Sequence, residues 1–251
     1  LPILGRPWYA FRALLGLRTS WLSREILAFG LFAAFAAANA TAVWMASDWP
    51  HMIRVANATG FITAACGLAA TFCSVMIYAT THRPYWSPHR TGPKFFLTAG
   101  ILGLPLALLI SLAACALNQN LTTASIMQDY GQALCRWLMA AVAAKLLLEA
   151  SILVHLNSRQ TTPLRRTAMV LTGELGMTHL LRYFFGIMGG LILPLVLLSD
   201  KAALGAGGYQ SLFVGLVVAL VVLLLLIGEM LERSLFFAAS IAPRMPGAPC
   251  T

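Results

Sequence analysis

The sequence predicts an all-α fold, a bundle of helices that crosses a membrane six times. Hydrophobic residues make up 59% of the chain and charged residues only 10%, a composition outside the range of soluble domains. Six apolar runs are each long enough to cross the hydrocarbon core of a bilayer, which is roughly 30 Å thick. The connections between these runs alternate between basic and weakly charged, as expected for consecutive membrane crossings.

The six apolar runs are separated by polar connections. They lie at residues 26–46, 59–80, 95–117, 134–156, 175–198 and 209–231. Pro105 and Pro194 fall inside the third and fifth runs and predict kinks there. We therefore divide the chain into a basic N-terminal segment (1–25), a transmembrane helix bundle (26–240) and a tail (241–251).

The positive charge of the chain, +9 in total, is concentrated in alternate connections. Residues 1–25, 81–94 and 157–173 carry several arginines or lysines, whereas residues 118–133 carry none. Basic connections normally face the cytoplasm. The pattern therefore predicts six crossings with both ends of the sequence in the cytoplasm, and no basic patch for nucleic acid.

Glu25 opens the first apolar run and is the leading candidate for a catalytic group. Arg24 precedes it, Trp21 lies one turn earlier, and no charged residue follows between Ile26 and Ala46. An ionisable group at such a boundary is a functional candidate, although an interfacial Arg/Glu pair can also simply anchor a helix. The residues alone leave both interpretations open.

A second set of ionisable residues lies inside the later apolar runs, in their predicted cytoplasmic halves. Lys145 and Glu149 share one helix face, because they are four residues apart, and form either a paired structural lock or part of a proton relay. The complete set of candidate relay residues is Lys145, Glu149, Glu174, His179 and Glu229.

The histidines and the motifs of the chain exclude several classes of site. His155 and His179 are predicted at similar depth on consecutive helices, so a bis-histidine haem is conceivable. Interfacial histidines are more often hydrogen-bonded surface groups, and we expect no metal and no haem. The sequence contains no phosphate loop, nucleophile elbow, HExxH or CxxC motif, which argues against an enzyme that acts alone.

Five motifs are spread over essentially the whole chain. They are LGRPWYAFR at Leu4–Arg12, SWLSRE at Ser20–Glu25, YATTHRPYW at Tyr78–Trp86, RTGPKFFLT at Arg90–Thr98 and GEMLERSLFF at Gly228–Phe237. In their order and spacing they together resemble the membrane anchor subunit of dimethyl sulfoxide reductase-type molybdopterin oxidoreductases.

The resemblance implies an eight-helix subunit, without a redox cofactor of its own, in the inner membrane of a bacterium. Its partners would be an iron–sulfur electron-transfer subunit and a molybdopterin catalytic subunit. Two further helices precede the first motif in the family, so we expect this chain to lack them. A histidine implicated in quinone binding lies just ahead of that motif in the family; the matching position is Ile3, and we expect His82 to take its part.

The resemblance also assigns roles to residues near Glu25, whose carboxyl group is expected to exchange protons with a quinone, either ubiquinone or menaquinone. The expected quinone-binding residues are Trp21, Arg24, Glu25, His82 and Tyr85. The expected docking residues for the partner subunits are Arg12, Arg18, Arg83 and Arg90.

Orientation distinguishes the members of this family. The resemblance implies that the docking face is the one that bears Glu25, and the charge pattern places this face in the cytoplasm. A cytoplasmic docking face resembles that of the anchor of membrane-bound sulfite dehydrogenase (sulfite:quinone oxidoreductase). A dimethyl sulfoxide-type reductase anchor, which oxidises quinol, is the alternative within the family. A membrane transporter is the alternative from another class, although transporters place their key polar groups near the midplane.

Overall fold

The computed structural model describes residues 16–117, 122–158, 160, 162–199 and 208–240. Within these ranges every regular element is helical, and six helices are long and apolar enough to cross a membrane. The prediction of an all-α bundle with six spanning helices is therefore confirmed. The motif at Leu4–Arg12, with Arg12 itself, and the position of Ile3 lie outside the described residues.

The described ranges contain seven successive helices, and all but the fifth are long and apolar enough to span a membrane. Their bounds are Trp21–Met45 (α1), Met52–Ala79 (α2), Pro88–Leu117 (α3), Thr123–Asn157 (α4), Pro163–Thr172 (α5), Gly176–Ser199 (α6) and Gly208–Ala238 (α7). A single 3-10 turn at Pro84–Trp86 connects α2 to α3.

Helix α1 begins earlier than the apolar run that predicted it. Ser20 has an extended backbone and accepts a hydrogen bond on its side-chain oxygen from the Ser23 N–H at 3.5 Å, which is the geometry of an N-cap. Glu25 therefore lies in the second turn of the helix, where the helical backbone fixes the direction of its side chain, and not in the connection before it.

Two of the spanning helices change their hydrogen-bond register along their length. Helix α4 contains a π-helical segment at Met127–Gly131, and α6 contains one at Met188–Ile192. Pro194 comes soon after the second segment; it lacks an N–H and disturbs the preceding turn of an α-helix. Pro105, in contrast, lies within the α-helical α3.

Helix α5 occupies a stretch that the hydropathy pattern assigns to a connection, residues 157–173. Pro163 stands at its first turn, and Thr162 caps it by accepting a hydrogen bond from the Arg165 N–H at 3.2 Å. Thr167, Ala168 and Leu171 form its buried face. The helix is only ten residues long, so its hydropathy pattern is too short to identify it as a separate element.

The chain divides into two compact units, which we describe separately. The first unit contains the described residues up to His82 together with Trp86–Phe95, and the second contains Arg83–Tyr85 and the described residues from Phe96 onward. The core of the first unit is the antiparallel hairpin of α1 and α2. Near its connecting end, the Asn39 side chain donates hydrogen bonds to the Ala56 carbonyl at 2.6 Å and the Thr59 hydroxyl at 3.1 Å.

The second unit is a four-helix arrangement of α3, α4, α6 and α7 whose interior is layered. One apolar cluster consists of Ile101, Leu138, Val142, Leu146, Val221 and Leu225. The next cluster along the helices consists of Leu108, Leu112, Cys115, Ile126, Met127, Cys135, Leu197, Val214 and Val218. The buried carboxylates Glu149, Glu229 and Glu232 follow the residues of the first cluster along α4 and α7. The interior is therefore polar at one end of the unit and apolar beyond it, and the charged Asp129 and Arg136 at the level of the second cluster are exposed.

Candidate functional site

The carboxylate of Glu25 lies against helix α2 in the first unit. The hydroxyl group of Ser74 donates a hydrogen bond to Oε1 of Glu25, and Ser74 is its one hydrogen-bond partner among the residues that the structure describes. Both side chains are partly exposed. One oxygen of the carboxylate is therefore held by Ser74. Oε2 makes no hydrogen bond with another described residue and belongs to a partly exposed side chain, so we call it the open oxygen.

Arg24 is directed away from Glu25 and toward the start of α1. Its Nε donates to the Leu17 carbonyl at 2.8 Å and its Nη2 to the Arg18 carbonyl at 3.0 Å. The guanidinium also lies 4.3 Å from the centre of the Trp21 ring, within the range of a cation–π interaction. Arg24 and Glu25 thus do not form the ion pair that the sequence allows, and Arg24 instead fixes the turn before the helix.

Aromatic side chains flank this end of the hairpin. The Trp21 ring meets the Phe72 ring edge-on, with 6.1 Å between the ring centroids. Phe72 and Ser74 are two residues apart on α2, and they contact Trp21 and Glu25, respectively. Ser74 and Phe72 are additions that the sequence did not identify, since each is far from Glu25 along the chain.

The other two residues assigned to quinone binding are placed differently. His82 is exposed, has a left-handed backbone conformation (φ 55°), and does not hydrogen-bond to Glu25. Tyr85 is buried in the second unit, where its ring lies 6.1 Å from that of Phe236 on α7.

The docking candidates differ in how much of each side chain is available. Arg18 is exposed and Arg90 is partly exposed. Arg83 donates a hydrogen bond from Nη1 to the Ser240 hydroxyl at 2.7 Å in the second unit. Part of the hydrogen-bonding capacity of Arg83 is therefore used within the chain.

A buried charge network occupies one end of the second unit. Glu229 of α7 lies at its centre: it accepts from Lys145, from the Thr98 hydroxyl at 2.8 Å and from Arg182 Nη2 at 3.0 Å. Arg182 also binds both oxygens of Glu149, at 3.0 and 3.2 Å. The network thus joins all four helices of the unit through charge-assisted hydrogen bonds.

Lys145 lies between several carboxylates and is completely buried. Its Nζ pairs with Glu229, contacts the Thr98 hydroxyl at 2.5 Å and lies 4.0 Å from both Glu149 and Glu232. The spacing of Lys145 and Glu149 correctly predicts a shared helix face. The closest carboxylate, however, comes from another helix, which the spacing does not reveal.

Two glycines make room for the guanidinium of Arg182, whose side chain is 1% exposed. A Cβ atom added at Gly186 or Gly228 would lie 3.1 or 3.0 Å from Arg182 Nη1. The sequence analysis assigns no site role to Arg182. The signal available in the sequence is Gly186, four residues later on the same helix face, because a glycine leaves room for a large buried side chain. Glu232 and Thr98 are further members of the network that the sequence did not identify.

The remaining ionisable candidates lie elsewhere. Glu174 is exposed in the turn between α5 and α6 and makes no ion pair with another described residue. His179 packs its ring 5.0 Å from the Tyr183 ring, and His155 lies in the 3-10 turn that ends α4. Among the described residues, no group of three or more His, Cys, Asp or Glu side chains has metal-binding geometry.

A comparison with protein families gives a match over almost the whole chain. The model of the DMSO reductase anchor subunit (DmsC) matches residues 2–239. No curated protein and no solved structure matches the chain. The family match agrees with the six apolar helices, and it implies partner subunits that carry molybdopterin and iron–sulfur clusters. The chain therefore belongs to the DMSO reductase anchor subunit family, as a multi-pass membrane anchor of a molybdopterin oxidoreductase.

Proposed function

We propose that this anchor is quinone-reactive and passes electrons from sulfite, oxidised on the cytoplasmic side, to the quinone pool. The observation that carries the proposal is the Glu25 carboxyl group, which is held through one oxygen by Ser74 and is open at the other. It lies beside the aromatic rings of Trp21 and Phe72, at the basic end of α1. An apolar aromatic wall next to an open acid is a suitable environment for a quinone headgroup.

The role of Glu25 follows from the stoichiometry of quinone reduction, in which a quinone takes up two electrons and two protons to form a quinol. The electrons come from the iron–sulfur partner subunit, so the anchor has to supply the protons. Glu25 can donate a proton from its open oxygen and recover one from the aqueous side, acting as a general acid. Arg24 keeps the preceding turn rigid, which fixes the position of this acid.

The substitution Glu25→Gln tests the proposal, because it keeps the shape of the side chain and removes its ionisable proton. We expect quinone-linked sulfite oxidation by the assembled complex to be lost. Dye-linked sulfite oxidation by the molybdopterin subunit should continue, since it bypasses the anchor. The control is Asp129→Asn, which alters an exposed carboxylate on α4. Unchanged quinone turnover in Glu25→Gln would refute the role of Glu25.

A dimethyl sulfoxide-type reductase anchor is the second candidate, and the description of the matching family favours it. Electrons would then run from quinol to the catalytic subunit, and Glu25 would accept protons. Sulfite-dependent quinone reduction by the purified complex supports the first candidate, whereas quinol-dependent reduction of dimethyl sulfoxide supports the second. A metal-free protein that purifies without partner subunits would favour a transporter over both.

The docking role of Arg12, Arg18, Arg83 and Arg90, each of which would contact the partner subunits, stays a prediction. The relay role of Lys145, Glu149, Glu174, His179 and Glu229 also stays a prediction. The contacts of Lys145, Glu149 and Glu229 support either a relay or a structural lock, because a buried ion network can serve both.

A further inference from the structure

We propose that Ser74 is a positioning residue that keeps the Glu25 carboxyl group against helix α2 in both of its protonation states. The inference rests on the proposed function, since it concerns how the proton-exchanging acid is held. Its starting point is that the Ser74 hydroxyl has two acceptors within reach. These are Oε1 of Glu25 and the backbone carbonyl of Ala70, which lies 3.2 Å away.

A hydroxyl group has one hydrogen to donate and lone pairs that accept. When Glu25 is ionised, Ser74 donates this hydrogen to the carboxylate. When Glu25 is protonated on Oε2, the oxygen from which the proton is passed on, Ser74 still donates to Oε1, which is then the carbonyl oxygen of the acid. When the proton lies on Oε1 instead, its O–H can donate to Ser74 Oγ, and the serine hydrogen then turns to the Ala70 carbonyl. The two heavy atoms stay in contact throughout, so protonation does not release the glutamate side chain.

The surroundings of Glu25 make Ser74 the residue that decides its position. On α1, the neighbouring cation Arg24 is engaged by the Leu17 and Arg18 carbonyls. On α2, the Cys73 thiol next to Ser74 is buried. Glu25 makes no hydrogen bond with either side chain. Without Ser74, the glutamate would lose its one hydrogen bond to a described residue.

The substitution Ser74→Ala removes the hydroxyl group and leaves Glu25 in place. Misplacing a reacting group by about 1 Å can reduce turnover by about 100-fold, so we expect kcat for the quinone reaction to fall by about 10- to 100-fold. KM for the quinone should change by less than about twofold, because orientation of the acid matters most in the reacting complex. Ser74→Thr, which restores a hydroxyl at the same position, should recover most of the activity.

Thr71→Ala is the matched control, because Thr71 lies on the same helix and donates its hydroxyl to the Gly67 carbonyl at 2.9 Å without a carboxylate partner. It should leave kcat and KM near the values of the unmodified complex. If Ser74→Ala prevents assembly, the nearly isosteric Ser74→Cys takes its place. The thiol is a weak donor, so the same loss of kcat is expected.

A spectroscopic readout separates positioning from a general loss of structure. In the redox-difference infrared spectrum of the complex, the carboxylic acid C=O band of Glu25 is identified as the band that Glu25→Gln removes. Ser74→Ala should shift this band to higher wavenumber, because a carboxyl group with fewer hydrogen bonds has a stiffer C=O bond. Thr71→Ala should leave the band unchanged.

The outcomes distinguish this inference from the proposed function. Normal quinone turnover in Glu25→Gln overturns the role of Glu25 and with it that of Ser74. In a second outcome, Glu25→Gln abolishes quinone turnover, but the Ser74 variants keep their kcat and their infrared band does not shift. This result overturns the role of Ser74 and leaves that of Glu25 intact. A shifted band and a kcat that Ser74→Thr restores support the positioning role.

Discussion

The side chain of Lys145 illustrates how a single buried charge can join several helices. Its ammonium group has no exposure to solvent, and burying an unpaired charge in an apolar environment is very costly. Glu229 compensates it directly, and Glu149 and Glu232 lie 4.0 Å away. If the cation is removed, the buried carboxylate of Glu229 loses an ion-pair partner. This destabilises the fold more than the removal of both charges does.

We therefore expect Lys145→Met to lower the free energy of unfolding of the anchor by about 3 kcal/mol, in line with other broken buried ion pairs. The double variant Lys145→Met/Glu229→Gln should lower the free energy of unfolding by less than the sum of the decreases caused by Lys145→Met and Glu229→Gln alone. Denaturant unfolding in detergent measures both quantities. Arg136→Met, which removes an exposed cation from the same helix, should have little effect. Additive losses in the double variant would contradict the direct coupling.

The sequence predicts contacts between residues that are close along the chain, but not contacts between residues that are far apart along it. The common face of Lys145 and Glu149 follows from the helical repeat alone. The pairing of Glu25 with Ser74, or of Lys145 with Glu229, joins residues 49 and 84 positions apart, and no local pattern encodes which helices are neighbours. For the same reason the sequence allowed an Arg24–Glu25 pair, although the backbone carbonyls of Leu17 and Arg18 bind Arg24 instead.

At the scale of the elements, the apolar runs predict the spans but not their ends. Hydrophobicity reports where lipid-compatible residues are found, whereas a helix begins where its first N–H groups are capped. Ser20 and Thr162 provide such caps for α1 and α5, and neither belongs to an apolar run. Hydropathy likewise does not predict the π-helical segment of α6, although Pro194 marks where the helix is disturbed.

The hairpin of α1 and α2 depends on an interhelical polar contact that can be tested separately. Asn39→Ala removes the hydrogen bonds to Ala56 and Thr59, and an interhelical hydrogen bond in a membrane protein contributes about 0.6 to 2 kcal/mol. We expect a loss of stability of that size, measured by thermal unfolding in detergent. Asn57→Ala, at an exposed position of α2, is the control and should be neutral. Equal effects of the two substitutions would show that the Asn39 contact is dispensable.

At the scale of the whole molecule, the number of crossings and the family follow from the sequence, because both depend on features spread over the entire chain. The orientation in the membrane rests on the alternation of basic connections. The proposal of cytoplasmic sulfite oxidation depends on this orientation, whereas membership of the family does not.

Reporter fusions decide the orientation. A reporter that is active only outside the cytoplasm should be active when fused within residues 118–133, which carry no lysine or arginine. It should be inactive when fused within residues 81–87, which connect α2 to α3 and lie in the basic stretch 81–94. The opposite pattern would remove the rationale for a cytoplasmic sulfite dehydrogenase and favour an exported reductase.

The layered interior of the second unit has a consequence for energy conversion. Beyond the charge network, two successive apolar clusters lie between the helices, and moving a charge through apolar surroundings is very costly. If the network is the proposed proton relay, we expect its protons to enter and leave at the same end, so that they do no work against the membrane potential. The apolar layers would then also oppose the leakage of charge down that potential, which stores about 2.3 kcal/mol per elementary charge for every 100 mV.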